Sequence, residues 1–348
     1  MIKQAMILTA GLGTRAKPFS ERLAKPLFPI MGIEVLAFTV AQLVQQGFHR
    51  IAFNVHAHAL QMFTFAAFLK KAYPHVAFFL SDETQVLMGS AGGIRLAAER
   101  FFDKAHPLLI VNGDVLCEPP LDALFSLFHA RARSQPGQGV FWCRPFCATT
   151  PLYAQVHVDP ETQSIQALGP FASEGLMFTG VYVLDLQVLE GLSLVSPSDA
   201  VKMVFQPLIA ENRLAAWVQE GFWQDLGSAV LWFEAHLAVL KALEQKSLPA
   251  SMARLIEENN IRVAHQVWVS KLFTGDLVAL EKKFVGPLYW GTVPGQAPLP
   301  WNLDAQDKPF GFGPRLIVYG KPGNFPSDYL ADCLVYDQQE VSFANTGS

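Results

Sequence analysis

Apolar positions along the first third of the chain alternate between two styles. Short runs rich in β-branched and aromatic residues recur at 4–9, 51–55, 76–80 and 108–112, with the length and composition of buried strands. Between them lie stretches with helical spacing: 35–46, closed by Gly47; 58–72, stopped before Pro74; 92–102; and 121–132. Strands alternating with helices predict an α/β fold built on a mostly parallel sheet. From 140 to 185 the pattern changes, with strand-like runs at 140–144, 154–158 and 177–184 and little helix between them. An antiparallel insertion is expected there. A helix near 200–212, a strand at 214–219 and a long helix over 228–246 restore the α/β style. The first domain, 1–250, closes at Ser247-Leu248-Pro249.

Residues 251–348 form a C-terminal extension, and its stretch 286–325 is dense in glycine and proline, so loops and short strands are expected to dominate it. Its sequence shows no clear repeat, although 267–285 could hold a few degenerate coils of a β-helix. The extension is expected to pack on the first domain or to serve assembly, which leaves a homo-oligomer open.

Composition narrows the classes. Apolar residues make up 51% of the 348 positions and charged residues only 16%, so burial can outweigh chain entropy and wholesale disorder is excluded. No stretch approaches the roughly 20 uninterrupted apolar residues of a membrane span. The first residues run into glycines and an arginine instead of a cleavage site, so the cytoplasm is the expected compartment. Four cysteines are too few for a disulfide framework, and Cys143 and Cys147 have no second pair nearby for zinc. A net charge of -4 without a Lys/Arg run argues against a nucleic-acid partner. A small phosphorylated ligand stays open.

The chemistry concentrates first in Ala10-Gly11-Leu12-Gly13-Thr14-Arg15-Ala16-Lys17-Pro18, a glycine-rich loop after the first strand. Glycines there let backbone N–H groups close on phosphate oxygens. A P-loop is excluded by the missing Gly-Lys-Ser/Thr ending. A dinucleotide fingerprint fits formally through Gly11, Gly13 and Ala16, but Pro18 stands where its helix should be running. In the third reading the loop stays extended and Arg15 and Lys25 both face one polyphosphate.

The whole segment from Gly11 to Pro29 resembles the signature of the sugar-1-phosphate nucleotidyltransferases, Gly-x-Gly-Thr-Arg followed by Pro-Lys-Pro. Ala16, Ser20 and Ala24 are small departures; the charged positions are present. Further segments match in order: Met88-Gly89-Ser90-Ala91-Gly92-Gly93, Asn112-Gly113-Asp114, Phe178-Thr179-Gly180-Val181-Tyr182 and Trp223-Gln224-Asp225-Leu226-Gly227-Ser228. The resemblance covers about 3 to 245. It implies a Rossmann-like, nucleotide-diphospho-sugar transferase type of sheet, and an enzyme that joins an NTP to a sugar 1-phosphate with release of pyrophosphate. It further implies that Ala10, Gly11, Gly13, Thr14, Arg15, Lys25, Gly92 and Asn112 line the nucleotide. Thr179, Gly180, Tyr153 and Lys202 would hold the sugar phosphate. Asp114 and Asp225 would bind Mg²⁺, and Arg15, Lys25 and Asp114 would carry the catalysis.

One region departs from the pattern. Where many members carry Glu-Lys-Pro, this chain has Leu168-Gly169-Pro170, losing an acid and a lysine that hold the sugar and its phosphate. That loss and the style of the flanking motifs resemble N-acetylmuramic acid 1-phosphate uridylyltransferases of the cell-envelope polysaccharide type, with mannose 1-phosphate guanylyltransferases close behind. A silent nucleotide-sugar-binding regulator and a nicotinamide-dependent oxidoreductase are the alternatives. His56 and His58 lack ligand partners by sequence, and Phe63, Phe65, Phe68, Phe78 and Phe79 are expected in the core.

Overall fold

β-Branched and aromatic runs become strands because their side chains fit a pleated, buried surface. In chain order the elements are β1 (Gln4–Leu8), a hairpin of β2 (Pro29–Ile30) and β3 (Ile33–Glu34), α1 (Val35–Gln45), β4 (Arg50–Val55), α2 (Ala59–Ala72), β5 (Ala77–Asp82), α3 (Gly89–Phe101), β6 (Leu108–Asn112), β7 (Val115–Cys117) and α4 (Leu121–Ala132). There follow β8 (Gly139–Cys147), β9 (Tyr153–Val158), β10 (Ile165–Ala172), β11 (Glu174–Leu184), a π-helical turn Val201–Phe205 running into α5 (Gln206–Ala210), β12 (Leu214–Val218), β13 (Trp223–Asp225), α6 (Ala229–Glu244) and α7 (Ala250–Asn259). This computed structural model describes residues 2–17, 19–21, 23–147, 153–264, 267–270, 288–290, 316–319, 333–337 and 340–343.

The chain divides into two units, Met1–Gly11 with Leu43–Trp223, and Leu12–Gln42 with Gln224–Ser348. The first holds a nine-stranded sheet in the order β10-β9-β11-β6-β1-β4-β5, with β8 joining β11 and β12 joining β8. The run β6-β1-β4-β5 is parallel throughout, whereas β11 pairs antiparallel with β6, β8 and β9. The α/β expectation and its antiparallel insertion both hold. One face buries Met6, Ile110, Phe141, Tyr182 and Leu214 in a cluster with Ala91, Ile94 and Ala98 of α3. Among the described residues no helix is long and apolar enough to cross a membrane.

Three details differ from the sequence reading. Strand β10 was not expected, because Gly169 and Pro170 weaken a strand pattern; it pairs only with β9, and its register shifts between Leu168 and Phe171, as proline tolerates at an edge. Helix α3 begins at Gly89, a turn earlier than its apolar spacing. Phe65, Phe68 and Phe78 are buried as expected, but Phe63 is 37% exposed, on the outer side of α2.

In the second unit β2 and β3 pair through a two-residue turn at Met31 and Gly32, both with positive φ, the backbone twist that tight hairpins favour. Helix α7 buries Met252, Leu255 and Ile256, one helical face. Beyond it, six short strands, β14 (Asn260–Ala264), β15 (Val267–Ser270), β16 (Leu288–Trp290), β17 (Leu316–Tyr319), β18 (Cys333–Asp337) and β19 (Glu340–Phe343), pair in sequence order, antiparallel and parallel by turns. The stretch 271–287, with most of the expected β-helical coils, lies outside the described residues.

Candidate active site

Parallel β1, β4 and β6 end on one edge of the first unit's sheet, where ligands of such folds collect. Just past β1, the Thr9 and Ala10 amides donate to Asn54 Oδ1 at 2.7 and 3.3 Å, and the Thr9 hydroxyl donates to the Asn54 carbonyl. The Asn54 amide in turn donates to Glu83 Oε1 at 2.9 Å, and the Met88 N–H donates to Glu83 Oε2 at 3.0 Å. A buried carboxylate thus ties the start of the first glycine loop to the start of the second. Burial is the main influence on Glu83 and raises its pKa against the opposing pull of Asn54 and Met88. At Gly93 a Cβ would lie 2.5 Å from Glu83 Oε1, so only glycine fits there. Sequence reasoning missed Glu83 and Asn54, which stand outside both glycine motifs; His56 completes the knot by donating through Nδ1 to the Glu83 carbonyl at 2.7 Å.

Asp114 follows β6 in a turn, half-buried. The Gly113 amide donates to the Leu8 carbonyl at 2.9 Å, and a Cβ at Gly113 would stand 2.7 Å from that oxygen. Glycine therefore lets the chain turn hard against β1 and deliver Asp114 to the strand-end edge. Asn112, also half-buried, packs its amide on Gly180, where a Cβ would lie 2.7 Å from Nδ2 and φ is 85°. Thr179 is buried: its hydroxyl donates to the Trp142 carbonyl at 2.8 Å and its own carbonyl accepts the Trp223 indole N–H at 2.8 Å. Tyr153 is half-buried with its ring edge-on to Trp223, 5.9 Å between centroids.

Gly92 lies in the first turn of α3, where its amide and that of Ala91 donate to the Ser198 carbonyl at 3.3 and 3.0 Å. The Ala200 amide donates to Ser90 Oγ at 2.8 Å. These bonds bring the segment carrying Lys202 against the second glycine loop. The Lys202 side chain is exposed, and its amide donates to Asp199 Oδ1 at 3.0 Å.

The second unit carries the rest of the first glycine loop. Past Gly13 (φ 64°) a single 3₁₀ turn, Thr14–Ala16, gives way to extended Lys17, so the helix that a dinucleotide fingerprint requires is absent. Ser20 Oγ donates to the Gly13 carbonyl at 2.7 Å. Lys25, partly exposed, opens a third short turn after Phe19–Glu21, with the Phe28 amide donating to its carbonyl at 3.0 Å. Behind the loop, the Trp232 indole donates to the Pro29 carbonyl at 2.8 Å, and its ring meets Phe19 and Phe28 at 5.5 and 4.8 Å.

Asp225 does not cap α6. That role belongs to Ser228, whose hydroxyl accepts the Leu231 N–H at 3.3 Å. Asp225 Oδ1 instead accepts the Gly227 N–H at 2.6 Å. A Cβ at Gly227 would lie 2.8 Å from that Oδ1 and 3.2 Å from Arg15 Nη2, so the carboxylate and the exposed guanidinium meet beside one glycine. The described residues contain no group of three or more His, Cys, Asp or Glu able to hold a metal. Asp114 and Asp225 are hard oxygen donors of the kind Mg²⁺ takes, and an ion with few protein ligands completes its shell from phosphate and water. Each carboxylate is, taken by itself, the type of donor that Mg²⁺ takes.

Comparison with known proteins decides the family. Residues 4–242 match the model described as nucleotidyl transferase. The chain belongs to the nucleotidyl transferase family. It is similar to a probable mannose-1-phosphate guanylyltransferase 1 of Oryza sativa subsp. japonica, 26% identical over 72% of this chain and 68% of the relative. The catalytic subunit beta of mannose-1-phosphate guanylyltransferase from Xenopus tropicalis is 25% identical over 70% of this chain and 66% of that protein. The chain thus spans about two thirds of the length of these relatives. Among solved structures, HddC from Yersinia pseudotuberculosis shares the fold, with a TM-score of 0.56 and 20% identity over 68% of this chain and all of that one. Its complex with GMP-PN gives a TM-score of 0.55 at 19% identity. The sugar-1-phosphate nucleotidyltransferase class expected from the motifs holds for this nucleotidyl transferase.

Proposed function

We propose that this protein transfers the guanylyl group of GTP to mannose 1-phosphate, releasing pyrophosphate. The relatives named above support the sugar and the base, and the convergence of Arg15 and Asp225 beside Gly227 is the observation that carries the chemistry. Every reacting group in such a transfer is an anion, so neutralisation and in-line positioning supply most of the rate. Arg15 and Lys25 stand on a loop locked by the Ser20 to Gly13 hydrogen bond, and in this reading they meet the triphosphate oxygens. Asp114 and Asp225 would hold Mg²⁺, which when bound supplies a Lewis acid for the phosphate oxygens. Glu83 and Asn54 act further back, holding the two glycine loops in register.

A matrix of four NTPs against mannose, glucose, N-acetylglucosamine and N-acetylmuramic acid 1-phosphates, read by pyrophosphate release, tests the reading. GTP with mannose 1-phosphate is expected to give the highest kcat/KM. UTP with N-acetylmuramic acid 1-phosphate as the leading pair would move the substrate assignment. Nucleotide binding without turnover in any pair would make the chain a regulator.

A further inference from the structure

One cation in the first unit has no role so far. Arg144 projects from β8, and its guanidinium lies over the Trp223 ring, 5.6 Å from the centroid. Tyr153 of β9 meets the same ring edge-on at 5.9 Å. The register agrees: Met177 of β11 pairs with Arg144 on one side and with Gln155 on the other, so Arg144 and Gln155 share a face, and Tyr153, two residues before Gln155, shares it too. Trp223 is itself fixed by its hydrogen bond to the Thr179 carbonyl. The guanidinium is therefore held on a rigid aromatic floor.

What its Nε lacks, among the described residues, is an acceptor. Arg144 is half-buried, and that Nε is shut off from solvent. Burial lowers its pKa, outweighing the opposite influences of Glu220 and Tyr153. A guanidinium carries five donors in a planar fork suited to phosphate or carboxylate oxygens, and leaving buried donors unused costs stability. Such a cost persists most readily where a ligand relieves it.

We propose that Arg144, backed by Trp223 and flanked by Tyr153, is the docking cation for an anionic group of the sugar 1-phosphate. No comparison or motif assigns it a role. The inference rests on the nucleotidyl-transfer reading, which the substrate matrix tests separately. The anion is the phosphate or, on an acidic sugar, the carboxylate. In Arg144→Gln the KM for mannose 1-phosphate should rise at least tenfold, the KM for GTP should stay within twofold, and Tm should equal or exceed that of the wild type. Arg144→Lys, which keeps the charge but loses the fork, should fall between. An equal penalty on mannose and N-acetylmuramic acid 1-phosphates assigns the phosphate, and a penalty confined to the latter assigns its carboxylate. An unchanged sugar-phosphate KM in both variants overturns the proposal, as does a lowered Tm with unchanged KM. Should Arg144→Gln fail to fold, the KM of Arg144→Lys decides. If the wild type turns over no sugar 1-phosphate, titration calorimetry with mannose 1-phosphate decides: binding lost in Arg144→Gln keeps the anion site while the activity reading fails, and equal binding ends both.

Discussion

At Gly227 one methyl group is enough to disturb two charged side chains. Gly227→Ala would place its Cβ within 2.8 Å of Asp225 Oδ1 and 3.2 Å of Arg15 Nη2, so kcat should fall at least tenfold while circular dichroism and Tm stay near those of the wild type. A wild-type kcat would show that neither group needs its present position. If Lys25 meets the triphosphate as proposed, Lys25→Ala should likewise lower kcat far more than Tm, because a partly exposed loop cation has little core role. Glu34 is an acid of a different kind. Burial pushes its carboxyl up to about 8 from the ordinary 4.5, so between those values the unfolded chain gives up a proton that the folded chain keeps. Its contribution to stability is full below about pH 4.5 and declines as pH rises toward 8. Glu34→Gln should melt with the wild type at pH 4.5 and above it at pH 8, by on the order of 4 kcal/mol. His236, depressed by burial to about 4, slopes the other way, losing stability as pH falls from 6.5 toward 4.

Among the elements, α6 carries the clearest test. Ser228→Ala removes its cap and should cost about 1 kcal/mol in urea unfolding, with activity at permissive temperature retained. Equal loss of activity would mean that the cap also sets the Asp225 turn. The parallel strands were legible because each is a short apolar run between helical spacings, and the glycine loops because their residue types leave few other uses. Strand β10 was not, since Gly169 and Pro170 hide it and only its pairing with β9 makes it a strand. Glu83, Asn54 and Arg144 were illegible for a related reason. Their meaning lies in neighbours from other elements: Asn54 to Glu83 spans 29 residues of sequence, and no local period reports such a contact. Asp225 was legible as a motif, but its freedom from helix capping became visible only with the Ser228 hydrogen bond in place.

For the molecule as a whole, the family match ends at residue 242, whereas α7 and the six-stranded C-terminal sheet lie beyond it. A chain ending after Asn259 should keep nucleotidyl transfer and change its mass in light scattering or its solubility. Native mass, solubility and kinetics together would leave the extension without a part in assembly.

The discontinuity of the second unit also sets a timetable for synthesis. The indole of Trp232 holds the Pro29 carbonyl across 203 residues of sequence. Ribosomes add roughly 5–20 residues per second, so the signature loop waits on the order of 10–40 seconds for the helix that braces it. During that interval Phe19 and Phe28 have no Trp232 to pack on, and the nascent chain displays a cationic, aromatic loop that cannot yet close. Chaperones that shield exposed aromatic segments should engage this protein early and release it only once α6 has emerged; ribosome profiling of chaperone-bound nascent chains would reveal that window, and its absence would mean that the loop finds a temporary partner.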